Sequence, residues 1–309
     1  MTTDSSYALV ADFDDARAYT YASILRAHSL TPIVADDGQA AVAVMAQRGA
    51  PSLAIVELAL PRIDGLGVIG QLRRQAPPSR SKVVAVSGFR YLRDAATGLR
   101  TSLGIGAVMA KAAGEESLHR VVKMLLSSRD NEIPPLETQP PPPDAAYEAR
   151  RADSMRAAGL TPERIAEPED DVYKLVLAAA AEFSAPIALA TLAFDDKLRF
   201  VAAVGLDAHE TDRYSSICNQ VIEAAGPLAV ADAREHPVYA TNGLVRAGII
   251  RGYASAPLIA LGGQVWGTLC LIDSQKPLSL GRTDIQKLCF RARRVTMALE
   301  RGGTKQTFV

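Results

Sequence analysis

The chain has 309 residues, of which 48% are hydrophobic and 22% are charged, and its formal net charge is +0. This length suits about two soluble domains, and the balanced charge gives no general attraction to nucleic acid or to an anionic membrane. The apolar stretches reach only strand length, so no membrane span is expected. Three cysteines and four histidines show no disulfide or metal-ligand spacing, which favours reduced thiols in the cytoplasm.

The first part of the chain alternates short apolar runs with segments of helical pattern. The predicted strands are 7–11, 32–35, 53–58, 82–86 and 105–110. The predicted helices are 16–27, 39–47, 66–75, 91–103 with an interruption at Gly98, and 115–127. Five such strand–helix units predict an α/β fold built on a doubly wound, parallel five-stranded sheet.

A proline-rich stretch follows this part of the chain. Pro134, Pro135 and the run 140–143 cannot continue a helix, so they predict a semi-rigid, extended linker. A helix is expected over 145–158, capped by Asp144 and ended by Gly159. The predicted domain limits are 1–129 for the first domain, 130–166 for the linker and connecting helix, 167–302 for the second domain and 303–309 for a tail.

The second part of the chain mixes helices with hairpin signals. Helices are predicted over 172–183, 214–225 and 283–300, and strands over 186–194, 198–204, 228–230, 253–260 and 265–273. The turns at 195–197 and at Gly262–Gly263 join strand pairs, and 232–244 is expected to be a long loop. This order predicts an α+β domain with an antiparallel sheet.

Four polar residues stand at the ends of predicted strands in the first domain. They are Asp12, Glu57, Ser87 and Lys111, and the carboxyl ends of parallel strands meet at one edge of a sheet. Together with the loop 60–65 (Leu-Pro-Arg-Ile-Asp-Gly), they resemble the receiver domains of response regulators. That resemblance implies phosphoryl transfer: a central carboxylate attacks phosphorus, acids bind Mg²⁺, and the lysine and the serine hold phosphate oxygens.

The first domain departs from the receiver pattern at several positions. Glu57 stands where the family has the phosphorylated Asp, and its extra methylene is expected to push the carboxylate outward by about 1.5 Å. A misplacement of ~1 Å costs on the order of a hundredfold in rate. Phe13 replaces a second acid and cannot ligate a hard cation. Val108 and Ala112 replace the family's aromatic residue and proline.

These departures predict a degenerate receiver that is not phosphorylated. Asp12 and Glu57 would form a weak Mg²⁺ site or none, and no cofactor is expected. Glu57 either reaches Lys111 and mimics the phosphorylated state or pairs with it as an inert scaffold. A conventional, phosphorylated response regulator is the alternative.

Short motifs in the second domain are similar to those of GAF sensory domains, among them 216–218, 230–234 and 266–273. The resemblance implies an antiparallel sheet with a ligand pocket on one face, roofed by the helix 214–225 and the loop 232–250. It does not name the ligand. The pocket candidates are Cys218, Asn219, Asp232, Arg234, His236, Tyr239, Asn242, Arg251 and Tyr253.

Each candidate also has a purely structural interpretation. Asp232 and Arg234 would tie down the loop, Tyr253 would fill core, and Cys270 would be a small hydrophobe in an apolar strand. Cys218 leaves three further hypotheses open: attachment of a chromophore, a redox-sensing thiol, or a thiol enzyme that would need a second reactive cysteine nearby.

The last helix repeats apolar residues at spacings of three and four, namely Ile285, Leu288, Ala292, Val295 and Leu299. This pattern predicts either a parallel dimer or packing onto the domain's own sheet. No cyclase, phosphodiesterase, kinase or DNA-binding segment is recognisable, so the expected function is a non-enzymatic, two-component-type regulator. Its expected partners are signalling proteins, such as a histidine kinase or a downstream effector, and a second copy of itself, without nucleic acid or membrane.

Overall fold

The computed structural model describes residues 7–127, 145–166 and 170–304. The chain divides into two units, residues 1–140 and 141–309. The predicted proline-rich linker and its Asp144 cap lie outside the described residues. The domain limits proposed from the sequence stay predictions.

The first unit is a parallel sheet in the order β2-β1-β3-β4-β5 with helices between the strands. Its strands are β1 (Tyr7–Ala11), β2 (Thr31–Ala35), β3 (Leu53–Glu57), β4 (Lys82–Ser87) and β5 (Ala107–Ala110). Its helices are α1 (Asp15–Ala27), α2 (Gly38–Arg48), α3 (Gly65–Gln75), α4 (Arg90–Gly98), α5 (Arg100–Leu103) and α6 (Glu115–Ser127). The predicted doubly wound, five-stranded fold is confirmed, and so is the interruption near Gly98.

Buried strands and capped helices explain why this unit folds as it does. Every residue of β1, β3 and β4 is buried, as expected for parallel strands covered on both faces. Asp14, Asp37 and Asp64 each accept hydrogen bonds from backbone amides at the start of a helix. A Cβ at Gly65 would lie 2.2 Å from the carbonyl oxygen of Glu57, so the glycine lets α3 begin directly against the end of β3.

The second unit is a six-stranded antiparallel sheet in the order β8-β7-β6-β11-β10-β9. Its strands are β6 (Ile187–Phe194), β7 (Lys197–Val204), β8 (Glu210–Asp212), β9 (Leu228–Val230), β10 (Gly252–Ile259) and β11 (Val265–Asp273). Its helices are α7 (Ala145–Ala157), α8 (Asp170–Glu182), α9 (Ile217–Ala224), α10 (Gly243–Arg246) and α11 (Arg282–Thr304). The predicted α+β architecture is confirmed.

Two short elements of this unit were not predicted. Strand β8 is a partly exposed, three-residue edge strand, and its sequence Glu-Thr-Asp lacks the apolar alternation that marks a strand. The predicted long loop contains a 3-10 turn at Tyr239–Thr241 and then leads into α10. In addition, α9 begins at Ile217, because the side chain of Ser216 caps it by accepting from the Cys218 amide.

The heptad pattern of α11 reflects packing within its own unit. Its five apolar repeat residues are all buried, with at most 3% exposure, and α11 contacts β10 and α8. These residues are therefore not available for a coiled coil with a second chain. The interpretation of this stripe as packing onto the domain's own sheet is the correct one.

The connecting helix α7 also belongs to the second unit. Trp266 on β11 donates from Nε1 to Ser154 Oγ at 2.9 Å. Arg213 donates from Nη2 to Glu148 Oε1 at 2.8 Å, and Arg213 is only 3% exposed. An ion pair between a buried Arg213 and a half-buried Glu148, together with the indole hydrogen bond, thus fixes α7 within the second unit.

Candidate functional site

The four predicted strand-end residues meet at one edge of the parallel sheet. Lys111 follows β5, and its Nζ lies 2.6 Å from Glu57 Oε2 and 2.9 Å from Asp12 Oδ2. Asp12 and Glu57 are each 1% exposed, and Ser87 is fully buried. The sequence placed these residues at strand ends, and the sheet brings their side chains into direct contact.

Both oxygens of Glu57 are engaged inside the protein. Oε2 faces Lys111, while Oε1 accepts hydrogen bonds from Ser87 Oγ and from the Ala59 amide, each at 2.8 Å. Both interpretations of Glu57 paired it with Lys111, and the structure shows that contact; the displacement of the carboxylate relative to an aspartate stays a prediction. The side chain stays at the sheet edge because three donors converge on it there.

The cluster places one ammonium against two carboxylates, and the pKa values of Asp12 and Lys111 are shifted as a result. Burial, together with the negative charge of Glu57, raises the pKa of Asp12 to about 6, although Lys111 acts in the opposite direction. Burial opposes the charge of Lys111, but Glu57 and Asp12 more than offset it and raise the pKa of the ammonium. Lys111 therefore stays charged, and Asp12 takes up a proton at a higher pH than an ordinary aspartate does.

The receiver resemblance implies Mg²⁺, and the residues at this edge do not fit it. The oxygens of Asp12 face Lys111 and the Asp14 amide, and those of Glu57 are engaged as described. Phe13 supplies an aromatic ring whose centroid lies 5.3 Å from Lys111 Nζ, a cation–π distance. Among the described residues, no group of three His, Cys, Asp or Glu side chains is placed to hold a metal ion.

Arg93 is a further member of this edge that the sequence reasoning missed. Its Nη1 donates to the carbonyl oxygen of Ser87 at 2.8 Å, its side chain is 3% exposed, and burial lowers the pKa of its guanidinium. It ties α4 to the end of β4. The signal was its position between Leu92 and Ala96, both on the buried face of α4.

In the second unit, two cysteines face each other between α9 and the sheet. Cys218 Sγ lies 3.0 Å from Cys270 Sγ, and the hydroxyl of Tyr253 donates to Cys218 Sγ at 3.2 Å. Cys270 also lies 2.9 Å from Thr268 Oγ1. The interpretation of Cys270 as a hydrophobe among apolar residues is therefore wrong, since its neighbours are polar. The second cysteine that a thiol chemistry at Cys218 requires is in place.

The charged pocket candidates form a separate group around the loop after β9. Asp232 binds Arg234 at 2.9 Å and Arg251 at 2.8 Å. Hydrogen bonds from Arg234, and then from Arg251, hold the pKa of Asp232 well below its usual range. This arrangement agrees with the interpretation that Asp232 and Arg234 tie down the loop.

The other candidates are dispersed over the unit. The rings of His236 and Tyr239 contact each other in a tilted arrangement with centroids 4.5 Å apart, and Asn242 caps α10 by accepting from the Leu244 amide. Asn219 accepts from Arg213 Nε at 2.8 Å, on the side of α9 that leads to Glu148. The nine candidates thus make several separate sets of local contacts, and an unknown small-molecule ligand stays a prediction.

Comparison with protein families agrees with this architecture. Residues 8–123 match the model of the response regulator receiver domain, and residues 168–299 match that of the GAF domain. The chain carries a receiver domain followed by a GAF domain. In the receiver domain, Glu57 ends the third strand.

Two solved structures are similar to parts of this chain, one to each domain. A CheY-like receiver domain from Methanospirillum hungatei is 19% identical, covers 40% of this chain and 95% of its own, and has a TM-score of 0.36. The GAF domain region of a putative membrane protein from Geobacter sulfurreducens is 14% identical. The match covers 50% of this chain and 98% of that one, with a TM-score of 0.37.

A curated relative corrects one prediction. A protein of Pseudomonas aeruginosa named a cyclic di-GMP phosphodiesterase is 37% identical over 131 residues, which is 42% of this chain and 22% of the relative. The chain thus spans about a fifth of that relative's length. The prediction that this protein is not an enzyme is overturned by this finding, because the relative is named as one.

Of the expectations about membrane, location and partners, the structure bears only on the first. No described helix is long and apolar enough to span a membrane. A cytoplasmic location, the absence of nucleic acid and the identity of the partner stay predictions.

The charge cluster predicts that the contribution of Asp12 to the free energy of unfolding falls as the pH rises, which is the opposite of the usual behaviour of an aspartate. Its pKa rises from 3.8 to about 6 in the folded chain, so the native state binds more protons than the unfolded state within that interval. The contribution of Asp12 to the free energy of unfolding is thus present below pH 3.8 and is lost as the pH rises toward 6. Between these limits, the wild type should lose on the order of 2 kcal/mol relative to Asp12→Asn, measured by urea denaturation across about pH 4 to 7.

The control for this experiment is Glu116→Gln, at an exposed position of α6 in the same domain. Its free energy of unfolding should follow the wild type at every pH. A constant difference between wild type and Asp12→Asn over the whole range would contradict the assignment.

Proposed function

We propose that this chain is a signal-transduction regulator whose receiver domain is held in one state by Glu57 and is not switched by phosphorylation. The observation that carries the proposal is the 2.6 Å contact between Lys111 Nζ and Glu57 Oε2. The receiver resemblance implies that this lysine and Ser87 hold phosphate oxygens. Here the Glu57 carboxylate already engages both groups, since Ser87 Oγ donates to Oε1.

The state of Glu57 also argues against its use as a nucleophile. An attacking carboxylate oxygen must be free to meet phosphorus in line, whereas both Glu57 oxygens have partners and the residue is 1% exposed. The fit to Mg²⁺ is poor as well, because Phe13 stands at the second acidic position. These features favour the interpretation that the Glu57 carboxylate takes the place of the phosphorylated aspartate of other receivers.

Receiver and GAF domains generally mediate interaction with signalling partners, and we propose the same role here. A histidine kinase or a downstream effector is the partner class that suits a receiver. We propose that this partner docks on α4. Arg93 anchors α4 to the end of β4 through a 2.8 Å hydrogen bond to the carbonyl oxygen of Ser87, so this surface would be the same with or without a phosphoryl signal.

The proposal predicts that the wild type does not respond to a phosphoryl analogue. With beryllofluoride and Mg²⁺, hydrogen–deuterium exchange of peptides from α4 and β5 should remain unchanged. The exchange of Glu57→Asp alone and of Phe13→Asp alone should also remain unchanged, because each variant keeps one of the two residues that differ from the receiver pattern. The double variant should respond, since it restores both the shorter nucleophile and the second acid.

The variants make the test decisive. A clear change in exchange for the wild type under these conditions would refute the proposal and favour a conventional response regulator. A response of Glu57→Asp alone would show that Phe13 is no obstacle to the cation.

We further propose that the chain forms a homodimer through the outer faces of α8 and α11. Phe290 and Met297, one heptad apart on α11, are 64% and 38% exposed, and Tyr173 and Leu177, one turn apart on α8, are 41% and 46% exposed. Helices α8 and α11 pack side by side, so these exposed apolar side chains lie on neighbouring helices, with charged residues in the groove between the helices. A second copy of the same surface is a matching occupant in a two-fold dimer.

This dimer should be broken by Phe290→Asp, which replaces an apolar side chain that is 64% exposed with a charged one. Sedimentation equilibrium should then give the monomer mass, with the wild type at twice that value. Leu261→Asp is the control, because Leu261 is 81% exposed in the turn between β10 and β11. A wild type that is monomeric at high concentration would exclude the dimer.

A second candidate function is turnover of cyclic di-GMP, which the name of the 37% identical relative supports. On this candidate, the purified chain converts cyclic di-GMP to the linear dinucleotide when a divalent cation is supplied, as followed by ion-exchange chromatography. Full retention of the cyclic nucleotide, beside an active phosphodiesterase as positive control, would exclude this activity for the chain.

A further inference from the structure

The interior of the GAF domain contains a pair of thiols that no part of the proposed function uses. Cys218 lies in the first turn of α9 and Cys270 in the middle of β11, 52 residues away. Their sulfur atoms are 3.0 Å apart, about 1 Å longer than a disulfide bond. Cys218 is 6% exposed and Cys270 is fully buried, so the pair sits under α9 and away from bulk solvent.

The surroundings of this pair are polar, unlike those of an inert core cysteine. Strand register places Cys270 beside Ser255, whose Oγ lies 3.4 Å from Cys270 Sγ. Thr268, two residues earlier on the same face, lies 2.9 Å away. The Tyr253 hydroxyl is 3.2 Å from Cys218 Sγ and 3.7 Å from Cys270 Sγ. Hydroxyl groups thus surround both sulfur atoms.

This geometry distinguishes the two sulfurs. The hydrogen bond from Cys270 lowers the pKa of the Cys218 thiol, with Tyr253 and Ser216 adding to the effect against the opposing influence of burial. Burial, followed by the contact with Cys218, raises the pKa of Cys270. Cys218 is also the residue at the helix N-terminus, where thiolates are stabilised. Of the two sulfurs, Cys218 is therefore the one suited to react first with an oxidant, and Cys270 is placed to attack the oxidised Cys218 afterwards.

We propose that Cys218 and Cys270 are a redox site that forms a reversible disulfide on reaction with a small hydroperoxide. The Cys218 thiolate attacks the outer oxygen of the peroxide, the O–O bond breaks, and the departing oxygen takes a proton and leaves as an alcohol, or as water from hydrogen peroxide. Cys218 becomes a sulfenic acid. A small oxidant is required because, of the two sulfur-bearing residues, only Cys218 has any exposure.

The second step closes the disulfide. Cys270 Sγ attacks Cys218 Sγ, the sulfur–sulfur bond forms, the sulfur–oxygen bond breaks, and the hydroxide leaves as water with the thiol proton of Cys270. In total, two thiols lose two electrons and two protons, and the peroxide is reduced to an alcohol and water. A small dithiol reductant reverses the reaction by exchange.

The neighbours of Cys218 connect this site to the helix that precedes the GAF domain. Asn219, the next residue of α9, accepts from Arg213 Nε at 2.8 Å. Arg213 donates in turn to Glu148 of α7 at 2.8 Å. Closing the disulfide brings the two sulfur atoms about 1 Å closer together, next to the residue that accepts the hydrogen bond from Arg213.

The test counts free thiols in the 309-residue chain. The reduced protein, with three cysteines, is exposed to hydrogen peroxide, quenched with catalase, denatured and labelled with a maleimide, and the label is counted by intact mass. The expected count falls from three to one and returns to three after dithiothreitol. Peptide mapping should find the Cys218–Cys270 cross-link, with the label on Cys289.

Two variants sharpen the result. Cys289→Ser should fall from two labelled thiols to none, since burial raises the pKa of Cys289 to about 11 and its thiol takes no part. Cys270→Ala removes the resolving sulfur, so Cys218 should be recovered as a dimedone adduct of its sulfenic acid.

The wild-type count decides the proposal even where a variant fails to fold. Three labelled thiols after peroxide treatment that oxidises a model dithiol in the same tube would overturn it. A lost label that maps to a cross-link through Cys289, or to sulfinic acid without a disulfide, would overturn it as well.

Discussion

The Lys111 ammonium between two buried carboxylates is the constraint on which the receiver domain depends. Removing one partner from such a group leaves an uncompensated buried charge, which typically costs roughly 3–5 kcal/mol. The three residues lie at the ends of β1, β3 and β5, so the ion cluster ties separate strands of the sheet to one another. Its position at the carboxyl edge of the sheet makes it both a structural tie and the candidate site.

The same cluster explains how the departures from the receiver pattern fit together. Glu57 is long enough to reach the lysine and to keep Ser87 as a donor. Phe13 places an aromatic face near Lys111, so the position that would carry a second acid contributes a cation–π contact. In the proposed function, these substitutions replace a site for a metal and a phosphoryl group by an ion cluster within the protein.

The GAF domain has a different organising feature, which is a polar interior beneath α9. Its hydroxyl and thiol groups alternate with apolar residues along β10 and β11, so one face of the sheet is polar although it lies inside the domain. Every residue of β11 is buried, and in β10 only Ile259 is exposed. The charge pair of Arg213 and Glu148 binds α7 to the same domain, which makes the connecting helix part of this module.

Much of the fold could be predicted because its signals are local. Strand–helix alternation indicated the parallel sheet, and hairpin turns indicated the antiparallel one. Strand β8 and helix α10 were missed since each is short and lacks apolar periodicity. Arg93 and the polar surroundings of Cys270 were missed because their partners come from other elements, and a charged or small residue carries no local sign of such a partner.

The residues at the ends of the receiver strands could be named from the amino-acid sequence, because parallel strands bring their carboxyl ends to one edge whatever the details of packing. The resemblance to receiver domains also implied that Glu57 and Phe13 stand where that family has acids. The sequence also led to a pairing of Glu57 with Lys111, 54 positions away, although the 2.6 Å distance depends on how the strands pack. That Cys218 meets Cys270, 52 positions away, became visible only in three dimensions, because this contact depends on how α9 packs on the sheet.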